Sequence, residues 1–155
     1  MVEIEVRAMG TGDVPDVRSL IERTVRASYR DAYSERAIEF FIHYHGENAI
    51  MKDLRHSTCL VALVRVEIVG TATLRGESII RVFVEPEWQG TGIGRELIGS
   101  LLDQARASGS ELVKLDASLV SRTFYERLGF LVVADRSHDL GNGHVLPYLK
   151  MMLRL

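Results

Sequence analysis

At the start of the chain apolar and polar side chains alternate. Ile4, Val6 and Ala8 stand against Glu3, Glu5 and Arg7, the period of two that marks a half-buried strand. The period then lengthens. Val14, Val17, Leu20, Ile21 and Val25 form one helical stripe, with Asp13 placed as its N-cap and Pro15 and Asp16 in its first turn. A second helix is predicted after Ser34, burying Ala37, Ile38, Phe41 and Ile42, and residues 47–54 add a short helical turn or two. Residues 59–65, 68–74 and 78–84 are rich in β-branched and small apolar side chains and predict three consecutive antiparallel strands. The first of their turns, at Val66-Glu67, lacks the Gly or Asn that a tight hairpin favours. Pro86 has no amide hydrogen to donate and stops the third strand.

A long helix follows, with Ile93, Leu97, Ile98, Leu101, Leu102 and Ala105 on one face and Gly109 at its end. Residues 111–116 read as a strand, 119–128 as a helix closed by Gly129, and 130–134 as another strand. Asn142-Gly143 marks a turn, and Leu149, Met151, Leu153 and Leu155 alternate with polar or lipophilic neighbours in a final strand, with Pro147 at its start or at a bulge. The order β-α-α-β-β-β-α-β-α-β-β joins a meander to two crossovers. It predicts an α+β fold with a mixed, mostly antiparallel central sheet flanked by helices, and no linker or repeat divides residues 1–155 into more than a single domain.

Composition narrows the function classes. With 155 residues, 46% hydrophobic and 26% charged, the chain is neither disordered nor fibrous. Lys and Arg are scattered among acids and the net charge is −2, so no nucleic-acid footprint is expected. No basic, apolar leader opens the chain and no apolar run is long enough for a membrane span. The lone Cys59 forms no internal disulfide, which points to a reducing, cytoplasmic setting, and it reads as a small core residue.

The chemistry is concentrated between Val82 and Arg95, where a strand breaks into a glycine-rich loop that runs into the longest helix. Gly90, Gly92 and Gly94 leave backbone amides uncovered at a helix N-terminus, which is a cradle for phosphate; the plain alternative is a glycine-rich turn kept for packing. A Walker loop fails because Arg95-Glu96 follows Gly94, and a dinucleotide fingerprint fails because its last glycine falls on Arg95 or Leu97. Gln89, Gly92 and Gly94 meet the pattern Gln/Arg-x-x-Gly-x-Gly/Ala. With Val84-x-Pro86 before it and Ser118-x-x-Ser121-x-x-Phe124-Tyr125-x-x-x-Gly129-Phe130 after it, the chain resembles the GNAT (Gcn5-related N-acetyltransferase) family over nearly all of residues 3–155.

The resemblance implies an acetyl-CoA-dependent N-acetyltransferase acting on a primary amine by direct attack in a ternary complex, on a GNAT-like sheet splayed at the acetyl-CoA site. It implies that Gln89, Gly90, Thr91, Gly92, Ile93, Gly94 and Arg95 surround the pyrophosphate. It implies too that the backbone of Val82, Phe83 and Val84 bonds the pantetheine arm and thioester, and that Tyr125 protonates the leaving thiolate. The competing roles are an exposed Arg95 that offers only its amide and a Tyr125 that merely packs its helix. Ser118 stands where the family often has Asn and Ser121 where it often has Ala; Ser118 can still hydrogen-bond the cofactor.

The base is open on the sequence: Glu77, Asp116, a histidine among His43, His45, His138 and His144, or a water chain. Established metal-ligand spacings are lacking, so no metal is expected. The acceptor is a small-molecule or peptide amine. Glu35, Glu39 and Glu47 either attract a cationic amine or form a solvated face. The last strand, with Met151 and Met152, either packs in the core or exposes an edge that pairs two copies as a homodimer. A second functional class is a catalytically weak acyl-CoA-binding or regulatory module of the same fold, and a third an acyltransferase using a longer acyl group or a hydroxyl acceptor.

Overall fold

The structure, a computed structural model, describes residues 2–155. Its elements run β1 (Ile4–Ala8), α1 (Val14–Ser28), α2 (Glu35–Tyr44), α3 (Glu47–His56), β2 (Thr58–Val64), β3 (Glu67–Arg75), β4 (Ser78–Val84), α4 (Ile93–Ala107), β5 (Leu112–Ala117), α5 (Arg122–Arg127), β6 (Leu131–Gly141) and β7 (His144–Arg154). The strands form one sheet in the order β1-β2-β3-β4-β5-β7-β6, and the β4–β5 pair alone is parallel. Hence the fold is α+β, as the element order predicts.

Each face of the sheet carries its own core. The α4 stripe of Ile93, Leu97, Ile98, Leu101 and Ala105 is buried with Val113, Leu115, Tyr125, Phe130 and Met151 on one face. On the other, Val17, Ile21, Val25, Ala37 and Ile50 from α1, α2 and α3 pack with Val61, Leu63 and Phe83. Ser34 caps α2 by accepting a 3.1 Å hydrogen bond from the amide of Ala37.

Several local expectations are corrected. Asp13 holds the N-cap position of α1 as expected, but its side chain does not cap that helix: it closes a 3₁₀ turn (Thr11–Asp13), where its carboxylate accepts from the Gly10 amide at 2.8 Å and from Arg7. The turn after β2 takes its positive φ, 59°, from Arg65 instead of a glycine. The helix expected at 119–128 divides into a 3₁₀ turn (Leu119–Ser121) and the shorter α5. β6 continues well beyond Ala134: residues 135–139 are all exposed and carry no apolar alternation, and the projecting hairpin touches the core through Leu140, Leu146 and Tyr148. Pro147 lies inside β7, neither at its start nor at a bulge; pairing with β5 has ended at Leu149, and the Pro147 carbonyl accepts from Tyr33 at 2.8 Å. β6 flanks β7 along its length and β5 flanks it from Leu149 to Arg154, and Met151 packs in the core.

Candidate active site

The sheet opens in its middle. β4 and β5 are paired only at Ser78–Lys114 and Ile79–Leu115, although β4 continues to Val84 and β5 to Ala117. Beyond Ile79 the β5-facing backbone of β4 is therefore without a strand partner. A bulge accentuates the divergence: Thr73 faces Ile80 and Thr71 faces Phe83, so β4 carries one residue more than β3, and Arg81 adopts φ 58°. The extra residue also reverses the faces that follow. Val82 and Val84 pack toward α4, whereas Phe83 joins the core beneath α1 and α2.

The loop after β4 leads into α4 as the sequence implies. Gly92 is the N-cap residue at φ 95°, a conformation that costs a side-chain-bearing residue about 1–2 kcal/mol. It supplies no side-chain cap, and open space surrounds the positions a Cβ would take on Gly90 and Gly92. The first-turn amides of α4 thus meet an uncovered surface, which fits a diphosphate. Two assignments change in character. The Gln89 side chain turns back to donate to the Val84 carbonyl at 3.0 Å, so it braces the loop. Gly94 is required by packing: a Cβ there would lie 2.9 Å from the Phe124 ring. Thr91 hydroxyl donates to the Trp88 carbonyl, and Arg95 is exposed on the first turn of α4.

A cavity of about 400 Å³ fills the opening between β4 and β5. Val82, Phe83, Ser118, Ser121 and Tyr125 all line it. Tyr125 is buried, its ring edge-on to Phe124 and Phe130 at 5.0 and 5.7 Å. Burial, and secondarily neighbouring Tyr29, raise its pKa, so the phenol keeps its proton. Ser118 and Ser121 hydroxyls are 2.9 Å apart. Tyr29 is likewise held protonated by burial, partly offset by those two hydroxyls.

The opposite wall contains a polar cluster of which the sequence pointed only to His45. Arg81 and Asp53 are both buried and ion-paired; Arg75 reaches the second oxygen of Asp53 at 3.1 Å, and Arg81 donates to His45 Nδ1 at 3.1 Å. Arg81 Nε has no partner among the described residues. Burial, then the nearby Arg81 charge, push the His45 imidazole down to about 3, so it is neutral. Tyr33 hydroxyl accepts from the Leu119 amide and donates to the Pro147 carbonyl, both at 2.8 Å, tying the α1–α2 connection to the β5–β7 side of the opening. Burial pushes the Tyr33 phenol up to about 12. A signal for this cluster existed: Arg81 interrupts the apolar run of β4, and Asp53 occupies the α3 stripe position three after Ile50.

The other base candidates separate clearly. His45 is in the wall and His138 on the rim, stacked on Tyr148 at 4.9 Å, whereas His43 and His144 are exposed away from the cavity. Glu77 is an exposed turn residue outside it. Asp116 lines it, paired with Lys150 at 3.2 Å. Cys59 is buried, with burial raising its thiol pKa, which disfavours a nucleophilic thiolate. Among the described residues no three His, Cys, Asp or Glu side chains gather as metal ligands, and no helix is long and apolar enough to cross a membrane.

Residues 29–154 match the family described as the acetyltransferase (GNAT) domain. The chain is 29% identical over 133 residues to the uncharacterized N-acetyltransferase YafP of Escherichia coli K12, covering 86% of this chain and 85% of that protein. Among solved structures it is similar to a GCN5-related N-acetyltransferase from Rhodopseudomonas palustris, with TM-score 0.91, 23% identity and coverage of 100% and 98% of the two chains. It is similar also to the PaiA N-acetyltransferase of Thermoplasma acidophilum in complex with coenzyme A, with TM-score 0.81, 18% identity and coverage of 99% of each chain.

Proposed function

The chain belongs to the GNAT acetyltransferase family, and from that premise we propose that it carries an acetyl group from acetyl-CoA to a small primary amine by direct attack in a ternary complex. It is an acetyl-CoA-dependent acyltransferase by family. The observation that carries the mechanism is the juxtaposition, across one cavity, of the unpartnered β4 backbone and the protonated Tyr125.

In this reading the first-turn amides of Ile93, Gly94 and Arg95 hold the pyrophosphate, with Gly90, Thr91 and Gly92 shaping the approach and Gln89 bracing it. The free β4 backbone at 82–84 orients the pantetheine arm as an added strand would, and Ser118 and Ser121 border the thioester. The amine nitrogen attacks the thioester carbonyl carbon and a C–N bond forms. The C–S bond then breaks, its electron pair leaving on sulfur. Tyr125 gives the developing thiolate a hydrogen bond and then its proton. The burial that makes this phenol a weak acid also makes the thiolate a stronger base, so the pair stays matched. The proton lost by the amine passes through water in the cleft to Asp116, which pairs through one oxygen with Lys150, whereas both oxygens of Asp53 are committed to guanidinium groups. Cys59, the sole cysteine and buried, supports a reducing compartment such as the cytoplasm.

Following free-thiol release from acetyl-CoA across an amine panel tests the activity. With the best amine, Tyr125→Phe should lower kcat by about a hundredfold while calorimetry shows acetyl-CoA affinity within about twofold of the original. Equal loss of both would make Tyr125 a packing residue.

A further inference from the structure

The charge around the cavity defines an acceptor class. Five cationic side chains line it against two carboxylates, Asp53 and Asp116. Asp53 is shared by Arg75 and Arg81, and Asp116 is taken by Lys150. Lys52 and Lys114 are left with no carboxylate within ion-pair distance among the described residues. The three acids of the α2 region that suggested a cationic acceptor play no part here: Glu39 pairs with Arg26 at 2.9 Å, and Glu35, Glu39 and Glu47 are all absent from the cavity wall.

The placement of these cations is not random. Arg75 pairs across the sheet with Ser78, and Ser78 with Lys114, so the three form one row over β3, β4 and β5. Residues directly opposite in a sheet share a face, and the Arg75 contact with Asp53 fixes that face as the one under α3. Lys52, next to Asp53 on α3, lines the same cavity from above. The row crosses the closed end of the cleft, where β4 and β5 are still paired. Tyr125, Ser118 and Ser121 lie toward the open end. Lys114 and Ala117 are three residues apart on β5, about 10 Å of strand, which the inward reach of long side chains shortens to the span of a small molecule.

We infer that the acceptor is an amine bearing an anionic group, a carboxylate or a phosphate, held by Lys52, Arg75, Lys114 and the Ser78 hydroxyl at the closed end of the cleft while its nitrogen points to the thioester. The inference rests on the acetyltransferase reading above. Lysine and arginine suit both anions, arginine by a bidentate fork and lysine as a point charge.

The test uses the full chain with acetyl-CoA and matched amines: α-amino acids against their amides, phosphorylated amino alcohols against the unphosphorylated ones, and diamines. The anionic member of a productive pair should be favoured about tenfold or more in kcat/KM; the series that wins distinguishes carboxylate from phosphate. The double variant Lys52→Gln/Lys114→Gln should raise KM for anionic amines about tenfold, with kcat and acetyl-CoA affinity nearly unchanged and the amides unaffected. Turnover with amides or diamines as good as with anionic amines, or a variant that weakens all amines alike, overturns the inference while the transferase reading stands. If acetyl-CoA binds and no amine releases thiol, the transferase reading fails by itself. Calorimetry of the same amines with the coenzyme A complex then decides the charge question. Tighter binding of anionic members, lost in the double variant, upholds the anion site, and absence of that preference overturns it.

Discussion

On the side we assign to acetyl-CoA, the cleft is made of backbone from one continuous stretch, residues 82–95, with side chains serving mainly to brace it. On the acceptor side it is made of side chains: Tyr29 and His45 follow the ends of α1 and α2, and Asp53, Arg75, Arg81 and Lys114 come from α3, β3, β4 and β5. A backbone site tolerates many side chains but depends on φ and on glycine. A side-chain site depends on charge balance and desolvation, so its members cannot be removed singly without cost. The two walls should therefore fail differently when mutated.

The largest expected effect is on the acceptor wall. Asp53→Ala leaves the buried Arg81 guanidinium without its carboxylate, and urea unfolding should show a loss of about 3–5 kcal/mol. A near-neutral result would mean that the pair is not buried in solution. On the other wall, Gly92→Val should reduce acetyl-CoA affinity about a hundredfold or more by closing the cradle, yet cost only about 1–2 kcal/mol of stability, the penalty of a side chain at φ 95°. If affinity and stability fell in proportion at both sites, the distinction between the walls would be lost.

At neutral pH the smallest effect is a pH dependence, which vanishes there and grows only on acidification. In the folded chain His45, facing Arg81, Tyr44 and Phe83, binds a proton only near pH 3, compared with about 6.5 for an ordinary histidine. Between those values the unfolded chain holds the extra proton, so this group's contribution is complete above about pH 6.5 and lost as pH falls, by up to about 1.4 kcal/mol per unit. His45→Asn keeps an acceptor for Arg81 and should flatten the stability profile between pH 6.5 and 4 relative to the parent chain. Parallel profiles would place His45 in water.

The same difference governs what the sequence revealed. The α1 and α4 stripes were legible because one face of each helix is buried and its period is unbroken, and the meander because its strands, buried on both faces, are runs of β-branched and small apolar residues. The Gln89–Gly94 loop was legible because its residues are contiguous, although its spacing did not tell Gly94, fixed by Phe124, from Gly92, fixed by φ. The β6–β7 hairpin was read too short because residues 135–139 of its projecting end are exposed polar positions with no apolar alternation. The acceptor wall was hidden for another reason. Arg81, Asp53 and His45 meet only after three segments fold together, and each alone looks like a polar residue misplaced on an apolar element. Tyr33 bonds partners 86 and 114 residues away, a separation no local pattern records.

The central claim is that uncovered amides at the start of α4, with the unpaired edge of β4, receive coenzyme A. Titrating the isotope-labelled chain with coenzyme A and following backbone amide resonances tests it most directly. The account predicts the largest shifts at residues 90–95 and 80–84, with Lys52 and Arg75 little moved. Shifts concentrated elsewhere, with the amides of Ile93, Gly94 and Arg95 unmoved at saturation, would contradict it.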